Sequence, residues 1–156
     1  MSNMPMFPQK EIKPIPPVKK YPGALLNQKY MLPVDKIHEV YDDGNVVGIE
    51  CSLLISLYHG SPLSMLHSIK VKYDMLEFEN DPMKFTVNGH TYTFAEMKTM
   101  STIFWEYGEY AQLFIPIPGG VGLGRHRLEV GIAFNANGAR PANHAWAVAE
   151  INLIEN

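Results

Sequence analysis

The tightest constraint on this chain is an alternation of apolar and polar residues over positions 46–58. Val47, Ile49, Cys51, Leu53, Ile55 and Leu57 fall on one face, and Glu50, Ser52 and Ser56 fall on the other. Side chains of an extended strand alternate with period 2, whereas a helix repeats every 3.6 residues, so the spacing predicts a half-buried β-strand. Asp43-Gly44-Asn45 stands just before it. Gly and Asn tolerate positive φ, so this is hairpin chemistry and predicts a partner strand around Ile37–Tyr41.

The pattern recurs. Ile69, Val71, Tyr73 and Met75 alternate with Lys70, Lys72 and Asp74. Asn88-Gly89 lies between Phe85-Thr86-Val87 and Tyr92-Thr93-Phe94, the strongest short hairpin signal in the chain. One helical turn fits at Ala95–Met100. Residues 102–106 read as a strand. Leu113, Ile115 and Ile117 form another, which Pro116 and Pro118 restrict to an edge or a bulge. His126, Leu128, Val130, Ile132 and Phe134 share one face of the next strand, with Arg125, Arg127 and Glu129 on the other. The last strand runs from Ala145 to Ile154. Eight or nine short strands at even spacing, without a βαβ unit, predict an all-β fold: an antiparallel, jelly-roll-like β-sandwich. Rossmann folds and TIM barrels are excluded.

Composition separates residues 1–33 from the sandwich domain, 34–156. The first stretch holds seven of the 12 prolines, so it is neither a helix nor a central strand. It reads as an extended, Pro-rich arm. Met6, Phe7, Ile12, Ile15, Tyr21, Leu25 and Leu26 are more apolar groups than a solvated linker carries, so the arm is expected to dock on its own domain or on a partner. The whole chain is 46% hydrophobic, enough for a packed core. Its net charge of −3 argues against nucleic acid and membrane surfaces. The single cysteine, Cys51, rules out an internal disulfide and fits a reducing cytoplasm. No signal peptide is visible, and no apolar run reaches the roughly 18 to 20 residues of a membrane span.

Candidate chemistry is sparse. Gly119-Gly120-Val121-Gly122-Leu123-Gly124 resembles a phosphate loop only superficially, because the glycines do not fall as G-x-G-x-x-G and a strand follows. Such a loop turns tightly or lets a partner approach closely. The six histidines show no metal-ligand spacing. A cupin-like site built from His59, His67 or His126, with Glu106 or Glu109, stays open as a reading. Trp105-Glu106-Tyr107-Gly108-Glu109-Tyr110 is either a sugar-stacking platform or a core Trp followed by a polar turn. No nucleophile, acid–base pair or metal site can be assigned to this chain, and Cys51 falls on the buried face.

Three segments, taken in order, carry a resemblance. They are Tyr58-His59-Gly60-Ser61-Pro62-Leu63-Ser64, then Trp105-Glu106-Tyr107-Gly108-Glu109, then Pro118-Gly119-Gly120-Val121-Gly122-Leu123-Gly124-Arg125-His126. The order resembles the β subunit of bacterial C-glycoside deglycosidases over roughly residues 35–135. Three departures accompany it. His59 stands where an Arg commonly precedes the glycine, Asn135–Asn143 lacks an aromatic-containing end, and the proline-rich arm is longer than the family core needs.

The resemblance implies a heteromer of several αβ units. The α subunit would be a TIM barrel holding the catalytic base and a divalent metal such as Mn²⁺, and the β subunit a sandwich that supports it. The substrate would be a 3-oxo-C-glycoside, for instance one made from a flavonoid C-glucoside. Partner-facing or substrate-proximal candidates are Tyr58, His59, Trp105, Glu106, Gly119, Gly120 and His126; none is expected to be catalytic or to bind metal, and no cofactor is expected on this chain. The alternative is a stand-alone carbohydrate-binding module using Trp105, Tyr107 and Tyr110.

Overall fold

A computed structural model describes residues 7–11, 25–26, 31–55, 59–117, 120, 122–135 and 141–154; the side chains of 7–11, 25–26, 141–144 and 153–154 are outside that description. The strands are β1 (Phe7–Glu11), β2 (Leu25–Leu26), β3 (His38–Asp42), β4 (Asn45–Leu54), β5 (Ser61–Pro62), β6 (Leu66–Tyr73), β7 (Leu76–Glu79), β8 (Lys84–Val87), β9 (His90–Tyr92), β10 (Phe104–Trp105), β11 (Tyr110–Pro116), β12 (Gly124–Asn135) and β13 (Pro141–Ile154). A single helical turn, α1, spans Phe94–Met97. One sheet has the order β1-β13-β12-β6-β7 and the other β3-β4-β11-β8-β9; β5 and β10 form a separate two-stranded ribbon. Apart from the short parallel contact of β2 with β13, every pairing is antiparallel. This is the all-β sandwich that the alternation predicts.

Two hairpins follow from local chemistry. The registers Asp42↔Asn45 and Val87↔His90 leave two-residue loops, Asp43-Gly44 and Asn88-Gly89. Their φ angles are 53° and 78°, and 54° and 79°. Positive φ at both central residues is the turn whose twist matches paired strands, and it favours these residue types. Of the strands they join, β4 and β8 turn apolar side chains inward. Ile49, Cys51, Leu53 and Ile55 are buried, as are Leu128, Val130, Ile132 and Phe134 on β12. Burying each of the large ones contributes about 1.5–3 kcal/mol. Leu57, at the end of the alternation, lies outside the described residues. The core already takes in Met31 and Leu32, both 1% exposed.

Four local expectations are corrected. Met75 is not on the buried face: β6 ends at Tyr73, and Asp74 and Met75 form the turn to β7, leaving Met75 89% exposed. Asp74 takes φ 53° there, and its N–H donates to Arg127 O. Thr93 and Phe94 do not extend β9. The Thr93 hydroxyl accepts from Glu96 N–H and the Glu96 carboxylate accepts from Thr93 N–H, a reciprocal cap that starts α1. Of residues 102–106 only Phe104 and Trp105 pair, with Pro62 and Ser61. β11 is central in its sheet despite its proline. Ile117 N–H donates to Val47 O on the β4 side, so the nitrogen of Pro116 faces the other side, where pairing with β8 stops at Phe114. The missing donor therefore removes no ladder bond.

On the outer face of β12, Glu129 is buried with both oxygens used. It accepts from Trp146 Nε1 (3.2 Å) and from Arg127 Nε (3.1 Å). A buried carboxylate is tolerable when its lone pairs are met in this way. The β1 strand runs along β13 from Phe7↔Ile154 to Glu11↔Glu150, and β2 meets the same strand at Ala145 and Trp146.

Candidate functional site

The sequence-selected residues divide between the two ends of the sandwich. At one end, the β5–β10 ribbon closes the gap between the sheets. Trp105 is 1% exposed and touches both layers: its ring lies 5.2 Å from that of Phe85, edge to face, and 6.1 Å from that of Phe134. Its indole N–H donates to Glu109 O (3.0 Å), and Glu109 N–H donates to Glu106 O (3.2 Å), so the turn after β10 is tied to the core Trp. Trp105 is thus a core plug with a polar turn behind it and has no face left for a sugar. Phe104, Tyr107 and Tyr110, in contrast, are partly exposed.

Gly60 is pressed against this turn. A Cβ there would stand 2.5 Å from Glu106 Oε1 and 3.0 Å from Trp105 O, so only glycine lets the carboxylate lie where it does. Next to it, His59 Nδ1 donates to Gly60 O (2.8 Å). The structure therefore brings His59, Trp105 and Glu106 together. Tyr58 lies outside the described residues. Beside Glu106, a surface cleft of about 360 Å³ opens between the Asn88 turn and β10; Val87, His90, Tyr92, Ile103 and Phe104 are among its walls.

The glycine-rich loop is at the opposite end. Gly120 packs beside Val46, near the start of β4. Leu54, at the far end of that strand, pairs with Tyr110 next to the Trp105 turn. At ~3.3 Å per residue, the Val46–Leu54 run separates the two groups by roughly 25 Å. Gly119 lies outside the described residues. His126, near the start of β12, has a partner at each ring nitrogen. Asp74 Oδ2 stands 2.6 Å from Nδ1 and Gly122 O 2.7 Å from Nε2, while the ring stacks on Tyr73 at 5.3 Å. Arg127 N–H donates to Asp74 Oδ1. Both ring partners are acceptors, one facing each ring nitrogen. The imidazole thereby staples the glycine loop to the β6–β7 turn. The sequence shows Asp74 only as a polar-face residue, because no spacing rule joins it to His126, 52 positions away.

Burial acts on two further groups. The Cys51 thiol, fully enclosed, is pushed far up by desolvation and then by the Glu50 charge. Burial likewise pushes the Tyr73 hydroxyl up, followed by the charges of Asp74 and Glu39. Among the described residues, no three His, Cys, Asp or Glu side chains gather where one metal ion would reach them. His67 Nδ1 sits 3.2 Å from Ser68 Oγ. No helix among the described residues is long and apolar enough to cross a membrane.

A family model described as "C-glycoside deglycosidase beta subunit" matches residues 27–137. The chain belongs to this family. The matched range takes in His59, Gly60, Trp105, Glu106, Gly120 and His126, so both ends of the sandwich fall within the C-glycoside deglycosidase β-subunit pattern. A relative named C-glycoside deglycosidase beta subunit, from Eubacterium cellulosolvens, is 28% identical over 95 residues. That alignment covers 61% of this chain and 65% of the relative.

Proposed function

We propose that this chain is the small subunit of a heteromeric enzyme that breaks the carbon–carbon bond of 3-oxo-C-glycosides, with a TIM-barrel α subunit as its partner. The observation that carries this reading is the family match over residues 27–137. The chemistry explains the division of labour. A C–C glycosidic bond offers no oxygen to protonate, so a carboxylate pair of the ordinary glycosidase kind has no leaving group to act on. A ketone at C3 acidifies the C2 proton. A general base in the partner removes it, the C1–C2 double bond forms as the C1–aglycone bond breaks, and the aglycone carbon takes up a proton. A divalent metal such as Mn²⁺, held by the partner, would supply Lewis-acid stabilisation of the enediolate. On this reading the present chain binds and supports the barrel, has no catalytic or metal-binding duty of its own, and works in the cytoplasm.

The test compares this chain alone with the chain co-expressed with a candidate TIM-barrel α subunit, both on a 3-oxo-C-glucoside. Co-purification, with aglycone released only by the mixture, is the expected result. A chain that ignores the barrel protein overturns the reading. A second reading, a free-standing carbohydrate-binding module, rests on the exposed Tyr107 and Tyr110. It requires the isolated chain to bind sugars, which a glycan-binding titration measures directly.

A further inference from the structure

The Trp105 end of the sandwich carries a surface of one chemical character. From Phe104 to Tyr110, three aromatic side chains are 39%, 60% and 40% exposed, and the carboxylates of Glu106 and Glu109 are set between them. Neither carboxylate has an ion-pair partner among the described residues. Glu106 and Phe104 stand on the wall of the 360 Å³ cleft, with Tyr92 and His90, and no lysine or arginine among the described residues lines it. The Glu106 carboxylate lies against Gly60, where a Cβ would crowd it. Close by, the chain shows how such a surface takes a cation: Lys36 Nζ lies 4.9 Å over the ring of Tyr110.

We propose that this cleft is the docking site for the larger subunit, which inserts an arginine side chain into it. The inference rests on the subunit reading above and adds where the partner binds and by what chemistry. An aromatic wall beside a carboxylate that has no ion-pair partner among the described residues matches a guanidinium better than any other side chain. Its plane stacks on Phe104 or Tyr92, while its paired N–H groups donate to both oxygens of Glu106. Arginine and aromatic anchors seated in a pocket at the centre of an interface carry most of the binding energy in protein complexes. The negative rim steers a positively charged partner surface toward the cleft. The opposite end of the sandwich also exposes apolar groups, Leu123 at 57% and Met75 at 89%, but neither is aromatic, and they stand just before β12 and in the β6–β7 turn.

The experiment measures the affinity of the full-length chain for the purified larger subunit at two salt concentrations. The variants are Glu106→Gln, Phe104→Ala and, at the other end, Leu123→Ser. All three sites are at the surface, and a melting curve of each free variant checks its fold. We expect Glu106→Gln and Phe104→Ala each to weaken binding about 10- to 100-fold. Glu106→Gln should also flatten the salt dependence, and Leu123→Ser should bind as wild type. Unchanged affinity in both cleft variants overturns the proposal and leaves the subunit reading standing. Loss of binding in Leu123→Ser alone also overturns it, and moves the interface to the glycine loop. A wild-type chain that binds no larger subunit overturns the subunit reading itself, and the proposal with it.

Discussion

Trp105 does at residue scale what the two sheets cannot do for themselves: it closes the gap between Phe85 and Phe134. Truncation to Ala would leave a large void between the layers and cost about 3–5 kcal/mol. Trp105→Phe, which keeps the ring and loses the bond to Glu109 O, should cost much less. Thermal melts of the two variants measure the difference, and equal losses would argue against the plug. Cys51 gives an independent check. With its thiol enclosed and held protonated, it should react with a thiol reagent only as fast as the protein unfolds, so rapid labelling of the native chain would contradict its burial. His126→Ala removes both arms of the staple. The side chain is 13% exposed, and its loss should cost about 1–2 kcal/mol. It should also speed amide exchange at Gly122 and Leu123 more than at Leu113.

At the scale of elements, what was legible in the sequence was what is decided locally. The hairpins at Asp43-Gly44 and Asn88-Gly89 were readable because two adjacent residues fix the turn and the alternation fixes the register. The start of α1 was readable in principle: Thr93-Phe94-Ala95-Glu96 is a capping box, and alternation hid it. The β5–β10 ribbon was not, because two-residue strands have no period to detect. Nor could the central place of β11 be read, since it depends on where β8 happens to stop.

The arm was read from its prolines as extended. The one long stretch of it that is described, β1, is paired along the edge of β13. Deleting residues 1–30 therefore uncovers that edge. The shortened chain should keep its β-type circular dichroism but self-associate, as light scattering would show, because an open strand edge recruits further strands. A monomeric, well-behaved deletion variant would show that β1 protects nothing.

Seen whole, the molecule is a two-ended sandwich, and the candidate residues sort by end. His59, Gly60, Trp105 and Glu106 meet although more than 40 positions separate their segments, while His126 lies with the glycine loop at the other end, against Asp74 and Gly122. Linear order offers no sign of this. The three family segments follow one another along the chain, yet the strand path from Leu54 to Val46 sends the third to the far end. Fold class needed only periodicity and turns, whereas the site depended on which loops the topology gathers.

The sheet pairing also bears on where the protein can be cut. The family pattern ends at residue 137, just after β12, and β13 lies wholly beyond it. Yet β13 lines the full 12-residue length of β12 and fills the layer beneath with Ala145, Ala147 and Ala149. The stretch shared with relatives is consequently smaller than the unit that folds. A recombinant fragment ending at residue 137 should collect in inclusion bodies, while one carried through Ile154 should be recovered in solution. A domain border drawn from sequence likeness would here run through the middle of a sheet.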